Sequence, residues 1–194
     1  PDSYQTISGA TLLTTGSQSD YTLLLFDDNL VLNPRKLKTY KPYFAGWDIT
    51  GEAAKSSAGI HHPHGYKKKI SIDNDPCTSY ASKISWEGGS VTPADTHWQV
   101  LFDDGKTASG SSGSPLFNQD HRIIGQLHGG DDLADFYGKL SYSVTHPNST
   151  YTSLNKYLDP TYSNITVLDG YYPSVNFPDP QFLSDFSSVC TESP

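Results

Sequence analysis

Apolar and β-branched residues occur in short runs along this chain, each closed by a turn signal. Ala10-Thr11-Leu12-Leu13 and Tyr21 to Phe26 are two such runs, separated by the turn-forming Thr15-Gly16-Ser17-Gln18-Ser19. The second is continuously apolar, the pattern of a buried strand. Further strands are predicted over Tyr43 to Ile49, Lys67 to Ile72, Tyr80 to Trp86, His97 to Phe102, Pro115 to Asn118, Arg122 to His128 and Leu140 to Val144. Between them stand Thr50-Gly51-Glu52, Asp73-Asn74-Asp75-Pro76, Glu87-Gly88-Gly89, Asp103-Asp104-Gly105 and Asn118-Gln119-Asp120, all turn-rich. Thr152 to Leu158 reads as a short helix that must end before Pro160. Turn signals recurring every ~8–15 residues point to an all-β sandwich or barrel. Beyond Gly170 the chain is Pro-rich and weakly patterned, so residues 1–170 read as one domain and 171–194 as a linker or tail.

Composition narrows the class. The 194 residues suit one ordinary domain or a small two-lobed one. Charged residues make up only 18% and aromatics 12%, with 16 Gly and 13 Pro, as short strands joined by many turns require. The formal net charge is −8 and the one basic run is Lys67-Lys68-Lys69, which argues against a nucleic-acid partner. That run fits a solvated strand edge, where lysines discourage edge pairing. No apolar run approaches the ~20 residues of a membrane helix, so no membrane insertion is expected. Met is absent and Pro1 reads as an internal cut, so a missing export signal carries no information. Cys77 and Cys190 allow one disulfide, but two cysteines far apart in sequence do not establish it.

The chemistry concentrates in Gly110-Ser111-Ser112-Gly113-Ser114-Pro115-Leu116-Phe117. A serine attacks a carbonyl only if its Oγ projects freely and backbone N–H groups point where the oxyanion forms, so small residues must flank it. Ser112 is the candidate nucleophile, and the N–H groups of Gly110 and Ser112 are the candidate oxyanion donors. A Gly/Ser-rich surface loop is the competing account of the same residues. His61-His62-Pro63-His64-Gly65 invites a metal reading, but Pro63 and Gly65 make it a turn and no partner stands at a ligand spacing. Neither a metal site nor the general base is expected there, and no cofactor is expected at all.

Several segments together resemble the trypsin-like serine endopeptidases, and within them the bacterial lysyl endopeptidases. They are Ser19-Asp20-Tyr21-Thr22-Leu23-Leu24-Leu25-Phe26, Ala45-Gly46-Trp47-Asp48, Ile60-His61-His62-Pro63, Lys68-Lys69-Ile70-Ser71, the Gly110–Phe117 turn, Ile124-Gly125-Gln126-Leu127-His128-Gly129-Gly130 and Asp135-Phe136-Tyr137-Gly138-Lys139. They run in the family's order from about residue 8 to about residue 170. The resemblance implies a chymotrypsin-like double β-barrel, here the end of the N-terminal barrel, the C-terminal barrel and a short C-terminal helix. It implies that Asp20 orients a catalytic histidine, that Leu127 and Gly129 bind substrate main chain, and that His128 forms a wall of the cleft. Asp135 matches the acid of the S1 pocket, with Asp131 or Asp132 as alternatives because this loop is shorter than in the family. Ser111 stands where pancreatic-type relatives carry an aspartate that pairs with a new N-terminus, so that activation switch is not expected.

The implied function is peptide-bond hydrolysis through an acyl-enzyme after Lys or Arg, on protein or peptide substrates. In that family a histidine precedes the aspartate of Asp20, yet the first histidine here is His61. The chain therefore reads as a fragment beginning after the catalytic histidine, nearly inactive alone, with the missing N-terminal segment as its partner. A secreted or cell-surface, bacterial protein is expected. A non-catalytic binding module for peptide or glycan, built on the same fold, is the alternative from another class.

Overall fold

The computed structural model describes residues 8–27, 39–147 and 149–172. Short apolar runs cannot cover both faces of a large flat sheet, and here they close a curled one around a single core. Strands β1 (Ala10–Gly16) and β2 (Tyr21–Phe26) form an antiparallel hairpin apart from the main sheet. The main sheet runs β5 (Lys69–Asp73), β4 (Ser57–His61), β10 (Pro115–Asn118), β11 (Arg122–Gly130), β12 (Asp135–Lys139), β9 (His97–Val100) and β6 (Thr78–Ser79). Strand β3 (Gly46–Asp48) adds to β11 in parallel, and β13 (Val167–Leu168) adds to β3. A separate small hairpin joins β7 (Ile84–Ser85) and β8 (Val91–Thr92).

Trp98, Val100, Leu116, Ile124, Leu127 and Tyr137 fill the core between these strands, with Ala54 and Cys77. Along β12 the four residues Asp135 to Gly138 are all buried, as in a strand covered on both faces. The expected all-β architecture holds: strands dominate, and the helical elements among the described residues include a 3₁₀ turn Pro63–Gly65, α1 (Leu140–Thr145) and α2 (Leu154–Leu158). Helix α2 is the short helix expected before Pro160. Among the described residues no helix is long and apolar enough to cross a membrane. Cys77 is buried, while Cys190 and the stretch 173–194 lie outside the described residues.

Some expectations are corrected. Leu140 to Val144 is helical rather than a strand, because ladder pairing stops at Lys139, whose N–H donates to Thr96 O at 2.9 Å. Later backbone groups then have to be satisfied within the segment itself. The side chains confirm the helical period: Ser143 Oγ donates to Lys139 O at 3.0 Å and the Tyr142 and His146 rings stack at 3.8 Å. Tyr21 to Phe26 is a strand but not a buried one, since Leu24 is 50% and Phe26 52% exposed. Among the described residues only β1 pairs with it, and Thr14 and Tyr21 are the buried pair of that hairpin. Of Tyr80 to Trp86, only Ile84–Ser85 is strand. The lysine run does end on an edge: Lys69 opens β5, the outermost strand.

The turn between β1 and β2 docks on the main sheet through one glycine. Gln126 Nε2 donates to Ser19 O at 2.7 Å, Ser19 Oγ meets Ser143 Oγ at 2.9 Å, and Tyr142 Oη donates to Gln18 Oε1 at 2.8 Å. Ser19 O lies so close over Gly138 that any Cβ there would collide with it. Gly138→Ala should therefore lift the turn carrying Asp20 and cost about 1–3 kcal/mol, the usual penalty of overpacking. A lowered urea midpoint with an unchanged slope is the expected result.

Candidate active site

The turn at Gly110–Ser114 is built by its glycines and fastened on both sides. Gly110 has φ +91° and Gly113 φ +79°, a region that side chains rarely enter. Ser111 N–H donates to Ala108 O at 2.9 Å and Ser114 N–H to Ser111 O at 3.1 Å. Gly113 N–H donates to Leu127 O at 2.7 Å, and Leu127 N–H to Ser114 O at 2.9 Å. Leu127, expected to bind substrate main chain, thus uses both its backbone groups to hold this turn to β11. Ser112 is exposed at the apex while its neighbour Ser111 is only 1% exposed. Among the described residues, the N–H groups of Gly110 and Ser112 donate to no protein acceptor. This is the arrangement an oxyanion site needs.

Ser112 opens on a cleft of about 940 Å³ whose walls include Trp86, Thr107, His128, Gly129 and Asp135. Of the three acids considered for cation selection, Asp131, Asp132 and Asp135 all line it, but only Asp135 is buried, at 9% exposure. Gly130 leaves room for that carboxylate, since a Cβ there would stand 2.5 Å from Asp135 Oδ1. Thr107 Oγ1 donates to Asp135 Oδ1 at 2.5 Å. Burial pushes the Asp135 carboxyl above its ordinary range, and the Thr107 bond opposes this. Asp131 instead accepts from the N–H groups of Leu133 and Ala134, which shape the exposed loop and hold its carboxyl low.

A second polar cluster faces the same cleft. A β-bulge between Leu127 and Gly129 re-aims His128, which stacks on Trp86 at 3.6 Å and presents Nε2 to Asp20 Oδ2 at 3.7 Å. Behind it lies His97, fully buried. The Thr96 hydroxyl donates to Pro93 O at 2.8 Å, so at 2.7 Å from His97 Nδ1 it accepts. His97 Nε2 is then an acceptor and takes the Nδ1–H of His128 at 3.0 Å. Burial, then the neighbouring His128 and Lys139, lower the His97 pKa to about 4, consistent with a neutral ring. Burial lowers His128 as well, and Asp20 pulls it back up. His128 Nε2 thus faces the Asp20 carboxylate from 3.7 Å, beyond hydrogen-bond reach.

The sequence reading missed Trp86, His97 and Thr107, and it set aside His61 to Gly65. The structure puts that histidine turn against the loop leading to Ser112: His64 N–H donates to Ser109 O at 2.7 Å, and His64 lines the cleft. Trp86 had a signal, an aromatic just before Glu87-Gly88-Gly89, but nothing local says that it faces His128.

A curled β-sheet with an exposed serine beside two unspent N–H groups, above a cleft holding a buried acid, is an arrangement that can support acyl transfer to a serine. The chain belongs to the family of lysyl endopeptidase C-terminal domains, whose family model matches residues 1–142. Among solved structures it is similar to Rv3671c from M. tuberculosis H37Rv, determined as a serine-to-alanine mutant in an inactive form. Identity is 15% and the TM-score 0.43, over 68% of this chain and 59% of that one.

Asp135 allows a test that separates the site from the fold. A carboxyl whose folded-state pKa is raised contributes stability below its unfolded pKa and loses it as pH rises through the folded value. Asp135→Asn keeps an acceptor for Thr107 without the buried charge. The variant should match the parent's Tm near pH 3 and equal or exceed it at pH 7; a lower Tm confined to pH 7 would contradict the assignment.

Proposed function

We propose that this domain is the C-terminal part of a serine endopeptidase that cleaves after lysine or arginine through an acyl-enzyme. The observation that carries the reading is Ser112, exposed at a fastened turn between two free N–H groups and over the cleft that holds Asp135. Ser112 Oγ attacks the scissile carbonyl, and the N–H groups of Gly110 and Ser112 stabilise the oxyanion. Asp135 pairs with the P1 cation, because an uncharged side chain would leave that carboxylate desolvated and alone. Gly129, at the end of β11, offers main chain for an added substrate strand. Asp20 orients the general-base histidine; His61 and His97 do not serve, since both ring nitrogens of each are bonded. The same reading has the enzyme act outside the cell or at its surface, in a bacterium.

The test is covalent labelling of Ser112 with a fluorophosphonate, read by intact mass, on this chain and on the product of its complete reading frame. One adduct on the full product, absent in Ser112→Ala, is expected, with a loss on the order of 10⁴–10⁶ in peptidase rate for that variant. Asp135→Asn should lower kcat/KM for lysyl peptides by a factor equivalent to about 2–5 kcal/mol while sparing uncharged P1 substrates. A folded full product that takes no label and binds peptide without cleaving it would replace the protease with a binding module on the same fold.

A further inference from the structure

We propose that His61 is the positioning residue of the nucleophile turn, acting through Nδ1 on the hydroxyl of Ser111. The proposal rests on the reading of Ser112 as nucleophile and adds a residue to it. His61 ends β4 and is 2% exposed, with both ring nitrogens on serine hydroxyls: Nδ1 with Ser111 Oγ at 2.8 Å and Nε2 with Ser71 Oγ at 3.0 Å. Ser111 Oγ already accepts the Ala108 N–H at 3.2 Å. In the assignment that uses every group, the Ser111 hydroxyl proton goes to Nδ1 and the Nε2–H goes to Ser71 Oγ.

The backbone beyond His61 adds to the grip. His64 N–H holds Ser109 O, and a Cβ on Gly110 would come within 3.4 Å of His62 O and His64 N. The loop is thus held at Thr107 by Asp135, at Ser109 by His64, and at Ala108 and Ser111 through the His61 bond. Ser112 has no such fastening of its own, so its placement depends on its neighbour's. Burial is the larger effect on the His61 ring and lowers its pKa, while the nearby Asp135 carboxylate raises it. A neutral His61 secures the turn without cancelling the charge that faces the substrate.

The amide of asparagine stands close to where Nδ1 stands in histidine, and that of glutamine close to Nε2. His61→Asn therefore keeps the Ser111 bond, whereas His61→Gln keeps the Ser71 bond. Two readouts apply to the full reading-frame product: the rate of fluorophosphonate labelling at Ser112, and amide hydrogen exchange over residues 109–113. At matched loss of Tm, His61→Asn should label within about tenfold of the parent, and His61→Gln should fall by about 10², the scale of an ångström's misplacement. Exchange in the turn should rise in His61→Gln and not in His61→Asn. Equal effects of the two variants on both readouts would make His61 a packing residue and overturn the proposal. If no form labels, the protease reading fails, and the exchange comparison still decides whether His61 positions the turn. Should the histidine variants not fold, Ser111→Ala against Ser71→Ala makes the same comparison: faster turn exchange in the first alone supports the proposal, and equal exchange refutes it.

Discussion

A serine proposed as a nucleophile must be accessible, yet accessible side chains are the least well placed in a protein. For Ser112, the residue before it meets that constraint. Ser111 is sealed from solvent and bonded to His61 and to the Ala108 N–H, so the backbone on the inner side of the turn is fixed while the outer side stays open. Gly110 and Gly113 bend the chain sharply enough for one serine to face inward and the next outward. Ser114 and Gly113 then return the chain to β11 through Leu127. The exposed position inherits its precision from buried neighbours.

Strand β11 distributes that order to the rest of the site. It pairs with β10, β12 and β3, holds the Gly110–Ser114 turn at Leu127, and bulges at His128. The bulge turns one imidazole onto Trp86 and toward Asp20, while the turn carrying Asp20 rests on the opposite stretch of β12 at Gly138. A hairpin that buries little of its own surface is thereby placed by polar contacts and by the absence of a single Cβ.

Charge inside the site is economical. Asp135 is the buried acid of the cleft, whereas His61 and His97 are buried and held toward neutrality by desolvation. A second buried cation beside Asp135 would neutralise the negative charge of the cleft. Serine and threonine hydroxyls, which accept and donate, satisfy these rings without adding charge.

Turn chemistry and short apolar runs are local properties, and the sequence alone therefore disclosed the all-β class, the β10–β11 hairpin, the helix before Pro160 and the small-residue turn around Ser112. The ordered family segments singled out Asp20 and Asp135 as well. Leu140 to Val144 misled because alternation over so few residues suits either period, and the missing sheet partner after Lys139 decided for helix. Tyr21 to Phe26 misled because an apolar run does not say how many faces are covered. Tertiary structure alone brought Trp86 onto His128, His97 behind it, and His61 under Ser111, since contacts between residues 31 to 50 positions apart leave no mark in either segment. Which residues can carry chemistry follows from their own side chains; which of them are held still enough to do so follows from what is packed beside them.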